Sequence, residues 1–267
     1  MDANLVFLHV NDKYLNLNNS KYKYIHKVIR LSQVESTNTY VRELSNNNPT
    51  SGTVVITACQ SKGRGLQNNK WHSGDGQNVT FSLFLRDFKI DIKDIYHLNM
   101  IVALAIVDAV KTLGLNAEIK WPNDIYIGKK KLCGILVENT LTSRSVSATI
   151  IGIGLNVNEE SFPTNIPNPT SLRLETGVAF DIEDVFERIL SAIDIKWDML
   201  LSKDYGTIKK NYIDCLFQYN KVSKYMILKK QMVVDGTIID VDSNGLVVLA
   251  YDDIIEAFGL KEIKYIL

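Results

Sequence analysis

Lys120-Trp121-Pro122-Asn123-Asp124-Ile125-Tyr126-Ile127-Gly128-Lys129-Lys130-Lys131-Leu132-Cys133-Gly134-Ile135-Leu136-Val137-Glu138 decides how the rest of the chain is read. Pro122 and Asn123-Asp124 break a first run, and Ile125, Ile127, Leu132, Ile135 and Val137 place β-favouring residues on both sides of a basic turn at 128–131. The pattern predicts strand, turn, hairpin and strand. A hairpin of this kind can hold amide, carboxylate and ammonium groups over one pocket, a set suited to phosphate and a metal ion. Taken alone, three lysines in a turn also read as a solvated tip.

Working outward toward the N-terminus, residues 95–113 form a nearly all-apolar helix that ends at Gly114, a buried support for a strand over 117–121. Residues 78–86 alternate, with Val79, Phe81, Leu83 and Leu85 on one strand face. Before them, 52–59 reads as a buried strand leading into the loop 60–71, Gln-Ser-Lys-Gly-Arg-Gly-Leu-Gln-Asn-Asn-Lys-Trp. Gly63 and Gly65 allow close backbone approach to a ligand, while Lys62, Arg64 and Lys70 can neutralise an anion. The loop has neither Walker spacing nor the dinucleotide fingerprint. Trp71 reads equally as a pocket wall or a core residue. Further back, 24–31 is a strand, and Glu35-Ser36-Thr37-Asn38 caps a helix through Tyr40, Val41 and Leu44. Free N–H groups and hydroxyls at that helix start also suit a ligand. The first 23 residues show no sustained period.

Working outward the other way, 145–155 is a strand closed by Gly152-Ile153-Gly154-Leu155-Asn156. Glycines in a strand imply that something packs close to the backbone: a flat ligand, a bulge or a crowded helix contact. Residues 159–169 hold three of the five prolines and read as a long loop that a ligand could order. Asp181 caps a helix through Phe186, Ile189, Ile193, Trp197 and Leu200, and another helix spans 205–217. After Tyr219 come short strands at 224–228, 231–241, 245–251 and 262–267, with a tight turn at 242–245. The expected division is therefore one large domain over 1–222 and a small β-barrel over 223–267, in an α/β (α+β) chain.

At 267 residues and 46% hydrophobic content the chain can bury a full core. Thirty basic side chains balance thirty acidic ones, so the overall field gives no reason to expect nucleic acid or a membrane surface as a partner. Three widely spaced cysteines, Cys59, Cys133 and Cys215, fit neither a disulfide framework nor paired zinc ligands, and a reducing cytoplasm is the expected setting. No apolar run is read as membrane-spanning, and the start lacks the basic region and cleavage site of a signal peptide.

Five blocks in order carry a family resemblance: Glu35-Ser36-Thr37-Asn38; Gln60 with Gly63-Arg64-Gly65 and Trp71; Lys120-Trp121-Pro122-Asn123-Asp124; the run from Lys131 to Glu138; and Gly152-Ile153-Gly154-Leu155-Asn156. Together they resemble the biotin protein ligases, of the type without an N-terminal DNA-binding domain, from about residue 24 to the end. The resemblance implies a mixed sheet flanked by helices, like class II aminoacyl-tRNA synthetases, followed by a Src-homology-3-like barrel. It implies that biotin and ATP, with magnesium, form biotinyl-5′-AMP, and that the biotinyl group passes to a lysine of a biotin carboxyl carrier domain of a carboxylase. It leaves a homodimer through the main sheet open.

The roles that carry over are likewise implied by resemblance. Lys131, Arg64 and Asp124 are the catalytic candidates, with Asp124 also the candidate for metal. Biotin falls to Ser36, Thr37, Asn38, Gln60, Gly63, Arg64, Trp71, Lys131, Gly134, Ile135 and Gly154. ATP falls to Gly65, Leu66, Lys70, Trp71, Asn123, Asp124, Lys131 and Asn156. Three positions depart from the pattern. Leu66 stands where relatives carry Arg or Gln, Asn68 where they carry Gly, and Ile266 where some place an arginine near the adenine. Leu66 removes a polar contact and implies weaker retention of the adenylate. The rival readings are a lipoate or octanoate ligase, a biotin-responsive repressor, and a silent ligand-binding relative. The Lys-Trp-Pro-Asn-Asp block and the barrel weigh against the first, the short N-terminal region against the second, and intact Lys131, Asp124 and Arg64 against the third.

Overall fold

The computed structural model describes residues 13–16 as backbone, and 21–66, 69–74 and 76–267. The expected departure at Asn68 and most of the first 20 residues lie outside the described residues. In chain order the elements are β1 (Lys13–Asn16), β2 (Lys27–Val34), α1 (Thr37–Ser45), β3 (Thr53–Gln60), β4 (Asn78–Asp91), α2 (Tyr96–Thr112), β5 (Glu118–Lys120), β6 (Asp124–Ile127), β7 (Lys130–Leu141), β8 (Ser145–Asn156), α3 (Leu172–Thr176), α4 (Ile182–Leu201) and α5 (Tyr205–Asp214). Five strands follow: β9 (Val222–Ile227), β10 (Met232–Val241), β11 (Val247–Tyr251), β12 (Ile254–Phe258) and β13 (Ile263–Tyr265).

Eight strands form one mixed sheet in the order β1-β2-β3-β4-β8-β7-β6-β5, in which only β2 and β3 run parallel. Alternation along the central strands sends Phe81, Leu83, Ile151, Ile153 and Leu155 into the main core. There α2 packs against β5, β6 and β7 and against helices α4 and α5, while α4 also rests on β4, with Phe186 edge-on to Phe81. Residues 92–112 are long and apolar enough to cross a membrane, contrary to the expectation from sequence, yet this segment is mostly buried as the core helix. The opposite sheet face carries α1 over a smaller cluster of Ile29, Leu31, Val41, Val55, Phe84 and Ile150. Because α1 is short, the rest of that face stays open, and the cleft described below lies there.

The expected barrel is a five-stranded antiparallel sheet, ordered β12-β11-β10-β9-β13. Its buried side chains, among them Tyr225, Ile238, Leu249 and Tyr265, belong to the same apolar cluster as the main core. Trp121 donates its indole N–H to the Gly245 carbonyl at 2.9 Å, joining the Pro-Asn-Asp turn to the turn before β11. Gly245 sits at φ +81°, and a β-carbon there would stand 2.3 Å from Tyr96, so the same turn also rests on α2.

Candidate active site

Ser36 caps α1, its hydroxyl accepting from the Thr39 N–H. That cap starts a buried polar chain. Gln60 Oε1 accepts from both the Thr37 N–H (2.8 Å) and the Thr37 hydroxyl (3.1 Å). The Ser82 hydroxyl donates to Asn38 Oδ1 at 2.6 Å and lies 2.7 Å from Thr37 Oγ1. Thr37, Asn38 and Ser82 are all nearly inaccessible, so the two Ser82 bonds are made away from competing water. These side chains form one end of the cleft.

Lys131 stands further along it. In the β6–β7 ladder Ile125 pairs with Cys133 but Tyr126 pairs with Lys131, an irregularity that inserts one residue into β7. Simple alternation would put Lys131 and Gly134 on opposite faces; the bulge turns both toward the cleft. Lys131 Nζ reaches Asp124 at 2.6 Å and lies 5.7 Å from the centre of the Trp71 ring. Its backbone is fixed as well, since its N–H donates to the Asn168 carbonyl (2.6 Å) and its carbonyl accepts from Thr170 (2.9 Å). Lys129 and Lys130 are exposed, and Lys130 pairs with Glu175 at 3.1 Å. The three-lysine turn is thus a solvated tip for two residues and a site for one.

The close neighbours of the strand glycines are side chains of this chain itself. A β-carbon on Gly154 would meet the Trp71 indole at 2.3 Å, one on Gly134 would meet it at 3.0 Å, and one on Gly152 would meet Asn38 Oδ1 at 2.2 Å. The resemblance assigned Trp71, Gly134 and Gly154 together to biotin, and this structure packs the Trp71 indole against both glycines. Its Nε1 is buried without a partner among the described residues. Gly63 is not on the cleft surface: it serves the turn, its carbonyl accepting from Trp71 N–H at 2.9 Å, with no space for a β-carbon beside the Trp71 carbonyl. Asn156 also stands behind the wall, its amide donating to the Thr170 carbonyl at 2.8 Å. Asn123 donates to the Ile135 carbonyl at 2.6 Å and holds the turn to β7.

The remaining candidates, Ser36, Thr37, Asn38, Gln60, Arg64, Gly65, Leu66, Lys70, Trp71, Asn123, Asp124, Lys131, Gly134, Ile135 and Gly154, all line one cleft of ≈ 560 Å³. Ile266 does not, although its neighbours Tyr265 and Leu267 do. Reasoning from sequence considered the second sheet only through Ile266 and missed the residues by which it reaches the rim, Leu228, Leu260, Lys261, Lys264 and Tyr265. It also gave no role to Lys120 or Tyr126, which line the same end. Among the described lining residues the cations are Arg64, Lys70, Lys120, Lys131, Lys261 and Lys264, against Asp124 as the sole carboxylate. That balance suits a polyanion. Burial pushes the Lys120 ammonium below its ordinary pKa, with Lys131 adding to the shift and Asp124 opposing it.

A family model described as Biotin/lipoate A/B protein ligase family matches residues 31–156. The Biotin--[acetyl-CoA-carboxylase] ligase of Paracoccus denitrificans is 30% identical over 187 residues, covering 66% of this chain and 74% of that protein. The chain belongs to the biotin protein ligase family. The Bifunctional ligase/repressor BirA of Bacillus subtilis is 36% identical over 180 residues, 66% of this chain and 55% of that protein. The chain thus spans about half the length of the first curated relatives it matches. The fold agrees with family membership. The structure of the biotin protein ligase from Aquifex aeolicus in complex with biotin and ATP gives a TM-score of 0.74 at 24% identity, covering 89% of this chain and 97% of that one.

Proposed function

We propose that this chain activates biotin with ATP and transfers the biotinyl group to a lysine of a biotin carboxyl carrier domain. The observation that carries the reading is Lys131, half-buried, ion-paired to Asp124 and placed between the polar chain at Ser36, Thr37 and Gln60 and the cation-rich end of the cleft. In the first step a biotin carboxylate oxygen attacks the α-phosphorus of ATP, and the bond to the β-phosphate oxygen breaks, releasing pyrophosphate. Two anions must approach, so fixed positive charge where the new charge develops lowers the barrier. Lys131 supplies it, already oriented by Asp124 and by both of its backbone bonds. In the second step an uncharged lysine amine attacks the acyl carbon, AMP leaves with the bonding pair, and the amine loses a proton.

Magnesium fits the donor set as a partner of the nucleotide. A single carboxylate, Asp124, is what a hydrated ion carried mainly by phosphate oxygens requires, and no cluster of three or more metal-binding side chains occurs among the described residues. When bound, the ion would neutralise the charge of the leaving pyrophosphate. Relatives of the family that act on lipoate are separated by using that acid in place of biotin.

Incubation with biotin, ATP and magnesium, with and without a carrier domain, should release pyrophosphate and label the carrier. Lys131→Ala should lower pyrophosphate release by about 100- to 1000-fold, the scale set by loss of one oriented charge-stabilising donor. Wild-type chain that releases no pyrophosphate with biotin, or releases more with lipoate, would overturn the reading.

A further inference from the structure

Arg64 lines the cleft together with Ser36 and Thr37, on a loop closed by backbone bonds from the Gly65 N–H to the Asn69 carbonyl (2.7 Å) and from the Trp71 N–H to the Gly63 carbonyl (2.9 Å). What holds the guanidinium comes from elsewhere. Arg64 NH2 donates to Glu138 Oε1 on β7 at 2.8 Å, and NH1 donates to the Thr39 hydroxyl on α1 at 3.3 Å. The other oxygen, Glu138 Oε2, accepts from Asn38 Nδ2 at 2.8 Å. Asn38 in turn is bonded to Ser82, and so belongs to the buried chain that ends at Gln60. One carboxylate therefore connects the long side chain of Arg64 to the buried Asn38–Ser82 pair.

A second cation shares that carboxylate. Arg42, on α1, also pairs with Glu138 Oε1. Both arginines are substantially exposed, whereas the Glu138 side chain is only 22% exposed. An oxygen that accepts from two guanidinium groups divides its charge between them, and exposed arginines gain little from solvent-side pairs alone. Burial raises the Glu138 pKa, but the Asn38 bond and then Arg64 and Arg42 outweigh it and hold the carboxyl below its ordinary value. The carboxylate form is therefore the one that the fold uses.

We infer that Glu138 is a positioning residue that seats Arg64 over the cleft, and that Arg42 competes with Arg64 for it. Glu138 touches no reacting atom; it acts through Arg64 and through Asn38. The geometry gives the two neighbouring changes opposite signs. Removing the charge of Glu138 frees Arg64, while removing Arg42 leaves the whole carboxylate to Arg64 and tightens its seat. A role confined to structural support predicts that both changes loosen the loop. The kinetic consequence rests on the proposed biotin activation; the structural one does not.

The test is amide hydrogen exchange of the full chain without substrates, over residues 61–66 and 69–71, together with KM and kcat for biotin in pyrophosphate release. Glu138→Gln should speed exchange in those segments and raise KM for biotin by about tenfold, equivalent to ~1.4 kcal/mol at 25 °C, with a smaller change in kcat. Arg42→Leu should slow exchange there and leave KM for biotin unchanged or lower. The inference is overturned if Glu138→Gln leaves exchange within twofold of wild type, or if Arg42→Leu speeds exchange as Glu138→Gln does. Should Glu138→Gln fail to fold, Arg42→Leu alone still decides, because only competition predicts slower exchange. Wild-type chain that forms no pyrophosphate would remove the proposed function and leave the exchange result standing.

Discussion

Gly154 has no space for a β-carbon, because the Trp71 indole stands where it would be. Gly154→Ala must therefore displace that ring. The indole ends a loop and can swing, so the expected cost is about 1–2 kcal/mol, at the low end of overpacking, and Tm should fall by a few degrees. Tryptophan emission should shift to longer wavelength as the half-buried ring becomes more exposed to water. Unchanged emission and Tm would show that the ring does not rest there. Trp71→Ala in the same chain should remove most of the penalty. A second residue-scale prediction concerns Leu66, which lines the cleft where the resemblance places a polar side chain. Leu66→Arg adds a donor and a charge toward an anionic adenylate, and should slow release of biotinyl-5′-AMP measured after rapid dilution. Equal rates would dispose of that role. The glycines and Leu66 were readable as special positions from the sequence. That Trp71 itself fills the glycine face was not, because nothing in a sequence tells which side chain will fold back over a strand.

Elements were legible where period and caps agreed. Asp181 and Ser36 cap their helices through side-chain oxygens that accept from backbone N–H groups, and the apolar helix ends at Gly114 with φ +82°. The misses have local causes. The strand expected to stop at Arg86 continues to Asp91 because Asp87, at φ +63°, interrupts the pairing with β8 before it resumes at Ile90. A bulge hides a strand's second half from any test of simple alternation. β12 was not expected, because its hairpin turn is Asp252-Asp253, both at positive φ, rather than a glycine-bearing pair, and because Ile254 and Ile255 are exposed. β1 pairs with β2 in a stretch whose asparagines gave no strand signal. One element still carries removable cost. Gly206 lies in the first turn of α5 with nothing within 4 Å of its added β-carbon. Gly206→Ala should stabilise by about 0.5 kcal/mol, chiefly by restricting the unfolded chain, and raise Tm by about 1–2 °C in thermal unfolding with no change in pyrophosphate release.

At the scale of the whole molecule, the two sheets meet at the turn that bears Lys120, and the cleft is complete only with both. The Trp121 indole bonds to the Gly245 carbonyl, and Lys120 Nζ lies over the rings of Tyr126 (5.2 Å) and Tyr265 (4.5 Å), one from each sheet. Sequence supplied Lys120 within a motif but could not supply Tyr265 as its neighbour, since that contact is made from the far end of the chain. Among the described residues Lys120 has no ion pair, and burial disfavours its charge. A desolvated ammonium held by ring faces, with Asp124 near but not in an ion pair with it, is poised to gain from an arriving anion. Lys120→Met keeps the aliphatic stem and removes the charge. The lost ring contacts oppose the relieved desolvation, so Tm should stay within a few degrees of wild type. KM for ATP should rise about tenfold, or ~1.4 kcal/mol, while KM for biotin changes less than twofold. Equal rises in both constants would place Lys120 in general support of the cleft, and no rise in either would remove it from the nucleotide end altogether.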